Sequence, residues 1–426
     1  MSTRVIAGRN RYAIPEEKGK NIWEQIKSAF TTGGFDVPFL VMVTLLTVIG
    51  LLMMYSASYE YSRVHNGGPA AIFLKQLYIA VPSYALMIVI SKVNLDFVKK
   101  CANIVLLVAV GLLVLCYVLN IGKDIKRHID IGPIQFQPSD IAKFALILYF
   151  AYAMDKYQKP GYLNASKHGT AFLQETNKWE RFMVRWRPTL VYCGVLVLID
   201  GLVVIESHLS ATIIILGIGA MMMFIGEQRI PGWVYFLGIA VAVVVIVVVI
   251  SNPDILLKFG LKQYQVDRIT AFKNPLEGDL SGDKWQTANS LMAIGSGGLF
   301  GRGLGKSVQK LLYLPEPQND FIFAIVCEEL GFVGAMLILL LFAALVFRGF
   351  LIALHSKDRF AALLTMGIMI QLALQTILNI GVVTALLPNT GILLPFFSQG
   401  GTAIAMLLGE MGLVLAVSRQ AREVKL

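Results

Sequence analysis

Asp320 stands at the start of a long apolar run, and residues as far as Phe347 are mostly apolar after it. A carboxylate in this position can accept a proton from a substrate hydroxyl group. The dipole of a following helix would favour the ionised form that a base requires. Capping of that helix is the commoner role for such an aspartate. We expect Asp320 to be a general base, with the helix cap as the open alternative.

A glycine-rich segment precedes Asp320 and carries three cations, Arg302, Lys306 and Lys310. Its sequence is similar to that of a phosphate-binding loop. The nucleotide-binding motif, however, needs glycine five residues before Gly305, and this chain has Phe300 there. We therefore exclude a nucleotide-binding loop. Two interpretations stay open: the segment exposes backbone N–H groups to an anion, or it is a set of tight turns.

Two glutamates, Glu328 and Glu329, follow inside the apolar run. Charged groups at membrane depth are costly and face a bundle interior or a cavity. We favour a structural, paired role for both over a catalytic one.

A second polar cluster includes Lys126, Arg127 and His128, followed by Ser139, Asp140 and Lys143. Asp140 and Lys143 are three residues apart at the start of a predicted helix, so they should share one face. Ser139 or Asp140 is suited to cap that helix. Lys143 either extends its charged end to water or, together with Arg127, binds a pyrophosphate. The sequence Glu206-Ser207-His208 closes a third turn, where a histidine is more often structural than catalytic.

The composition indicates an all-α integral membrane protein. Hydrophobic residues make up 56% of the 426 residues and charged residues only 15%, against about 25% charged in soluble domains. Because a spanning helix needs about 20 apolar residues, we predict about ten spans. They lie near residues 37–57, 71–91, 102–120, 139–154, 188–205, 210–226, 230–250, 320–347, 360–382 and 391–417.

The charges predict topology. A net charge of +10 would suggest nucleic acid as the partner of a soluble protein, but here most Lys and Arg residues fall in alternate loops, as expected if both termini are cytoplasmic. The four cysteines lie in or beside apolar runs, which indicates neither a disulfide framework nor a metal site.

Three regions follow from this pattern. Residues 1–36 form a cytoplasmic arm that is either a linker or a short helix on the membrane surface. Residues 37–418 form the polytopic membrane domain, and residues 419–426 form a cytoplasmic tail. The one long outer-face loop, residues 252–319, is expected to contain short helices, for example from Gln286 to Ile294.

Several motifs in this order resemble the SEDS (shape, elongation, division and sporulation) family of bacterial membrane glycosyltransferases, the RodA/FtsW type. The resemblance covers roughly Asp36 to Arg419, and the stretch around Asp320 is its most specific part. The chain departs from the usual family pattern at His128, Asp140, Glu206-Ser207-His208, Gln399 and Thr402. The matching stretches are Tyr55 to Ser58, Lys75-Gln76, Lys126-Arg127, Gln137 to Ser139, Lys143, Gly303 to Gly305, Ser307, Gln309-Lys310, Tyr313 to Glu316, Asp320 to Ala324, Glu328 to Gly331, Leu387-Pro388, Thr390-Gly391, Leu394 to Phe396, and Gly400-Gly401.

The resemblance implies polymerisation of lipid II into glycan strands on the outer face of the cytoplasmic membrane, with inversion at the anomeric carbon and Asp320 as the base. The implied substrate-binding residues are Arg268, Lys143, Arg127, Lys310, Glu316, Ser139 and Asp140. A divalent cation is compatible with this chemistry, although no ligand set stands out. The implied partners are the growing strand, membrane lipids and a class B penicillin-binding protein that cross-links the strands.

Two other functions remain compatible with the sequence. A flippase that transports the same lipid-linked precursor would need a site near the membrane midplane, typically between repeats, and no internal repeat is evident. A scaffold for a division or elongation complex is the third interpretation. The sequence does not decide whether the protein serves elongation, division or sporulation. The residues from Leu314 to Gly331 slightly favour a division or sporulation role.

Overall fold

The computed structural model describes residues 34–120, 128–131, 134–157, 178–206, 208–226 and 282–423. These residues form a nearly all-helical bundle, as predicted, with one short antiparallel hairpin that the sequence analysis did not anticipate. The elements are α1 (Val37–His65), α2 (Ala71–Ile90), α3 (Leu95–Leu119), β1 (Ile129–Ile131), β2 (Ile134–Phe136), α4 (Pro138–Tyr157), α5 (Lys178–Ile205), α6 (Leu209–Gly226), α7 (Gly282–Gly297), α8 (Ile322–His355), α9 (Arg359–Val383) and α10 (Gly401–Glu423).

Eight helices of the described chain are long and apolar enough to cross a membrane: α1, α2, α3, α5, α6, α8, α9 and α10. The count of ten is therefore not confirmed. The predicted span 139–154 is helical as α4, but α4 is not among the eight, and most of its residues are buried against α3, α6 and α9. The predicted span 230–250 lies outside the described residues, as does most of the predicted arm, residues 1–33.

Two polar contacts between α1 and α8 mark the two ends of the bundle. At one end Asp36, which also caps α1, accepts hydrogen bonds from the Arg348 guanidinium at 2.7 and 3.1 Å. At the other end the Ser56 hydroxyl donates to Glu329 at 2.7 Å. A helix rises about 1.5 Å per residue, so these contacts lie about 30 Å apart along α1, close to the hydrocarbon thickness of a bilayer.

Helix α8 is broken at Gly331, whose φ of 68° is outside the helical range. The backbone groups freed by the break pair with the preceding loop: Arg302 N donates to Glu328 O, and Phe332 N donates to Gly298 O, both at 2.9 Å. A Cβ atom on Gly331 would lie 2.2 Å from Gly301 N. Glycine is thus required at this crossing, which seats the glycine-rich segment on α8.

The last predicted span was wrong at its start. Residues 391–400 are not helical, and α10 begins only at Gly401. Gly391 and Phe396 adopt positive φ values of 72° and 66°, which a helix cannot contain. The apolar residues of this segment are nevertheless buried inside the protein. Irregular backbone is tolerated at membrane depth where it is enclosed by protein or lines a cavity.

Other boundaries also differ from the prediction. Helix α3 begins at Leu95, capped by Asn94, and not at residue 102. Helix α10 continues to Glu423, past residue 417, where the predicted last span ends. Helix α7 contains the predicted helical stretch Gln286 to Ile294, which confirms a helix in the long loop.

Candidate active site

One end of the bundle contains a cavity of about 710 Å³. It is the end where α1 finishes and α2, α4, α6 and α10 begin. The segments before α8 and between α9 and α10 complete its wall. Its polar lining consists of Tyr61, Asn66, Lys75, Gln76, His128, Gln137, Asp140, Lys143, His208, Ser210, Gln286, Glu316, Gln318, Asn319, Asp320, Gln371, Gln375, Ser398, Gln399 and Thr402.

Asp320 lines this cavity and does not cap α8. The cap position is Phe321, whose side chain makes no hydrogen bond to the first turn of the helix. Asp320 is partly exposed, while the following residues, Phe321 and Ile322, are fully buried. The carboxylate therefore reaches the cavity from a firmly packed backbone, as a positioned general base requires.

The backbone around Asp320 is fixed by the buried amide of Asn379. Its Nδ2 donates to Asp320 O and to Ile392 O, both at 2.7 Å. This one side chain on α9 therefore joins the segment before α8 to the segment before α10. Gly391 faces the same point, since a Cβ atom there would lie 3.6 Å from Asp320 Oδ2.

Asp140 and Lys143 form the predicted pair on one face of α4. Lys143 Nζ lies 2.8 Å from Asp140 Oδ1, and both side chains are largely buried. Within the described chain, Asp140 Oδ2 has no hydrogen-bond partner. Lys143 also interacts electrostatically with the buried Glu410 of α10, which accepts two hydrogen bonds from Gln371. Much of the positive charge of Lys143 is therefore balanced by Asp140.

Ser139 lies in the first turn of α4 and is fully buried. Its hydroxyl lies 3.2 Å from His208 Nδ1 and accepts from Gln137 Nε2 at 3.0 Å. Gln137 N in turn donates to Thr402 Oγ1 at 3.3 Å. Ser139 itself is not among the lining residues, so its place is behind the wall, holding His208 and Gln137.

Glu206 lies in the turn between α5 and α6, two residues before His208. Burial raises the pKa of its carboxyl group to about 8, and the Cys116 thiol beside it has a smaller opposite effect. The group is therefore mostly protonated at neutral pH. A neutral carboxyl group outside the cavity lining suits a structural role.

The remaining candidates are distributed differently. Glu316 lies at the cavity rim, where Tyr61 donates to it at 3.2 Å. Lys310 does not line the cavity: its buried Nζ contacts Glu329 Oε1 at 2.8 Å and Ser56 Oγ at 3.0 Å. Arg127 and Arg268 lie outside the described residues.

The carboxylates of Glu328 and Glu329 bind the glycine-rich segment. Val308 N and Ser307 Oγ donate to Glu328, and Gly305 N donates to Glu329 at 3.0 Å. The segment thus exposes N–H groups to anions, but within the described residues these anions are the protein's own carboxylates. The geometry agrees with the structural role favoured for both glutamates.

All four cysteines are free thiols. Within the described ranges, no three His, Cys, Asp or Glu side chains are grouped closely enough to hold a metal ion.

Sequence reasoning missed the polar face of α9. Gln371, Gln375 and Asn379 recur every four residues in an otherwise apolar helix, a spacing that places them on one side. Two of them line the cavity and the third holds Asp320. The four-residue spacing of these polar side chains was the feature of the sequence that could have predicted this face.

Comparison with known proteins identifies the family. The model of the cell cycle protein family FtsW/RodA/SpoVE matches residues 37–423. The chain belongs to this family. The match covers all the described helices, including those that surround Asp320.

Similar relatives agree with this assignment. Stage V sporulation protein E of Bacillus subtilis is 35% identical over 390 residues, which cover 91% of this chain and 98% of that protein. The probable peptidoglycan glycosyltransferase FtsW of Trichlorobacter lovleyi is 34% identical and covers 93% of this chain and 96% of its own length.

Solved structures share the fold. A chain from a peptidoglycan synthase complex that coordinates polymerization and crosslinking superposes with a TM-score of 0.69 at 22% identity, covering 91% of this chain and 98% of that one. The rod shape determining protein RodA of Thermus thermophilus gives a TM-score of 0.60 at 21% identity, with 90% and 97% covered.

Proposed function

We propose that this protein is a peptidoglycan glycosyltransferase that polymerises lipid II. Full-length relatives of the same family are named as probable peptidoglycan glycosyltransferases. The observation that carries the proposal is the position of Asp320. Its carboxylate is partly exposed in a large cavity, and its backbone carbonyl group is held by Asn379.

The proposed reaction uses Asp320 as the base. A sugar hydroxyl of the acceptor attacks the anomeric carbon of the lipid-linked donor, with inversion. The bond from that carbon to the pyrophosphate oxygen breaks, and its electron pair leaves with the polyprenyl pyrophosphate. The hydroxyl proton passes to the Asp320 carboxylate. A positioned base of this kind contributes typically about 10²–10⁴-fold in rate.

The cavity lining suits sugars. Its many Gln and Asn side chains offer both donors and acceptors, which match hydroxyl and acetamido groups. In this proposal Asp140, Glu316 and Lys143 contact the substrate, and Ser139 supports His208. Arg127 and Arg268 are proposed to contact the leaving pyrophosphate, and a divalent cation would share that charge.

We further propose that the protein resides in the cytoplasmic membrane with the cavity on its outer face, and that both termini are cytoplasmic. A class B penicillin-binding protein is the proposed partner, which is supported by the shared fold with a chain of a peptidoglycan synthase complex. The named relatives favour a division or sporulation role over elongation.

The test separates polymerisation from transport. The protein and its class B partner are reconstituted in liposomes with labelled lipid II, and glycan length on a gel and movement of lipid II between leaflets are measured in the same preparation. We expect long glycan strands. Movement of lipid II without polymer would favour the flippase, and neither activity in a correctly assembled complex would favour the scaffold.

A further inference from the structure

The described part of the cavity wall contains two lysines, and only one of them has a carboxylate partner. Lys143 is paired with Asp140 at 2.8 Å. Lys75 is exposed and forms no ion pair within the described residues. Of these two lysines, Lys75 is therefore the one whose charge is available to an anion that enters the cavity.

Lys75 lies at the border between two faces of α2. Leu74 and Tyr78 are 44% and 78% exposed, as expected for a lipid-facing surface, whereas Ile72 and Gln76 are buried and line the cavity. Lys75 lines the cavity from between these faces. A group bound there has the acyl phase on one side and the cavity on the other.

Two hydrogen bonds connect this turn of α2 to the segment that carries Asp320. Gly400 N donates to Gln76 Oε1 at 3.2 Å, and Gln399 N donates to Gln318 O at 2.8 Å. Because Gln399 precedes Gly400 and Gln318 lies two residues before Asp320, Lys75 belongs to the same wall as the proposed base.

From these observations we propose that Lys75 binds the diphosphate of the lipid-linked substrate. This inference rests on the proposed function. In a lipid-linked sugar, the diphosphate joins a tail that stays in the bilayer to a sugar that must reach the base. The border of α2 is where that junction has to lie, and an ammonium group there supplies an ion pair to a phosphate oxygen. Lys75 is a binding residue and takes no part in proton transfer.

The test measures initial rates of polymerisation against lipid II concentration, using the full chain with its class B partner. We expect Lys75→Gln to raise the apparent KM for lipid II by about 10-fold, equivalent to about 1.4 kcal/mol of binding, with kcat changed much less. Lys75→Arg should stay near wild type. Lys92→Gln is the matched control, because Lys92 is an exposed lysine just beyond the opposite end of α2.

A competition experiment identifies the group that is recognised. Inorganic pyrophosphate should inhibit the wild type competitively, and Lys75→Gln should need a several-fold higher concentration for the same inhibition. Equal inhibition of both proteins would overturn the assignment to a diphosphate. An unchanged KM in Lys75→Gln would likewise overturn it. In that case both proteins would still make polymer, so the proposed function would remain intact.

Should Lys75→Gln prove unstable, Lys75→Met retains the apolar stem and provides the same comparison. A lower melting temperature with an unchanged KM in Lys75→Met would assign Lys75 a structural role and contradict the proposal. If the wild type itself makes no polymer, the proposed function fails, and direct binding of lipid II to wild type and Lys75→Gln still decides the role of Lys75.

Discussion

At the scale of residues, the site depends on side chains that position other groups. Asn379 is fully buried and donates to two carbonyl groups from segments far apart in sequence, Asp320 O and Ile392 O. Since buried carbonyl groups need partners, this amide fixes the Asp320 backbone relative to the rest of the cavity.

We predict that Asn379→Ala lowers turnover more than it lowers affinity for lipid II. Loss of the amide leaves the buried Ile392 carbonyl group unpaired, at a cost of about 1–3 kcal/mol. It also removes the donor to the partly buried Asp320 carbonyl group, so the Asp320 backbone loses its anchor. The comparison variant is Ile377→Ala, which changes an exposed side chain on the same helix. Equal kcat values for Asn379→Ala and wild type would refute the positioning role.

Some of these residues could be predicted from sequence and others could not. The Asp140–Lys143 pair follows from helical spacing, and the structure confirms it. The pairing of Lys310 with Glu329 was not predictable, because it depends on a loop folding back across a break at Gly331. We expected Lys310 to contact the substrate, but in the structure its ammonium group is paired with Glu329.

At the scale of elements, the glycine-rich segment and broken helix α8 form one unit. The two glutamates after the start of α8 accept backbone and side-chain donors from residues 302–310. Ser56 of α1 joins the same network. This unit holds the backbone that leads into Asp320.

We predict that Glu329→Gln destabilises the protein strongly, because the Lys310 ammonium would remain buried without its carboxylate. Breaking one partner of a buried ion pair costs about 3–5 kcal/mol. The double variant Glu329→Gln with Lys310→Met should recover part of the loss. Apparent melting temperatures in detergent provide the measurement.

Arg302→Gln is the internal comparison. It breaks the 3.3 Å contact to Glu328, in which the Arg302 side chain is 42% exposed. The buried Glu328 carboxylate keeps its donors Ser307 and Val308, so we expect a smaller loss of stability than for Glu329→Gln. Similar losses for Arg302→Gln and Glu329→Gln would show that burial of the Lys310 pair is unimportant.

Element boundaries show where sequence periodicity reaches its limit. Apolar composition located the helices well, since burial in protein and exposure to lipid both favour apolar residues. For the same reason it extended the last span back over residues 391–400, which are mostly apolar and mostly buried but irregular. The positive φ values at Gly391 and Phe396 arise from the tertiary packing of that segment.

At the scale of the whole molecule, the helices bring polar residues together at one end of the bundle. The cavity draws its walls from α1, α2, α4, α6, α7, α9 and α10 and from the two irregular segments. Transporters typically place their site near the midplane. Many of the cavity residues lie near helix ends or in the two irregular segments, while Gln371 lies at the middle of α9. A cavity that opens among helix ends suits the proposed glycosyltransferase better than a transporter.

The most direct test of this account compares Asp320→Asn with wild type, each bound to the class B partner, and measures both lipid II binding and the rate of polymer formation. Glu316→Gln, which removes another carboxylate from the same cavity, is the comparison variant. We predict that Asp320→Asn binds lipid II normally but loses about 10²–10⁴-fold in rate, while Glu316→Gln loses far less. Polymer formation by Asp320→Asn at the wild-type rate would contradict the assignment of the base.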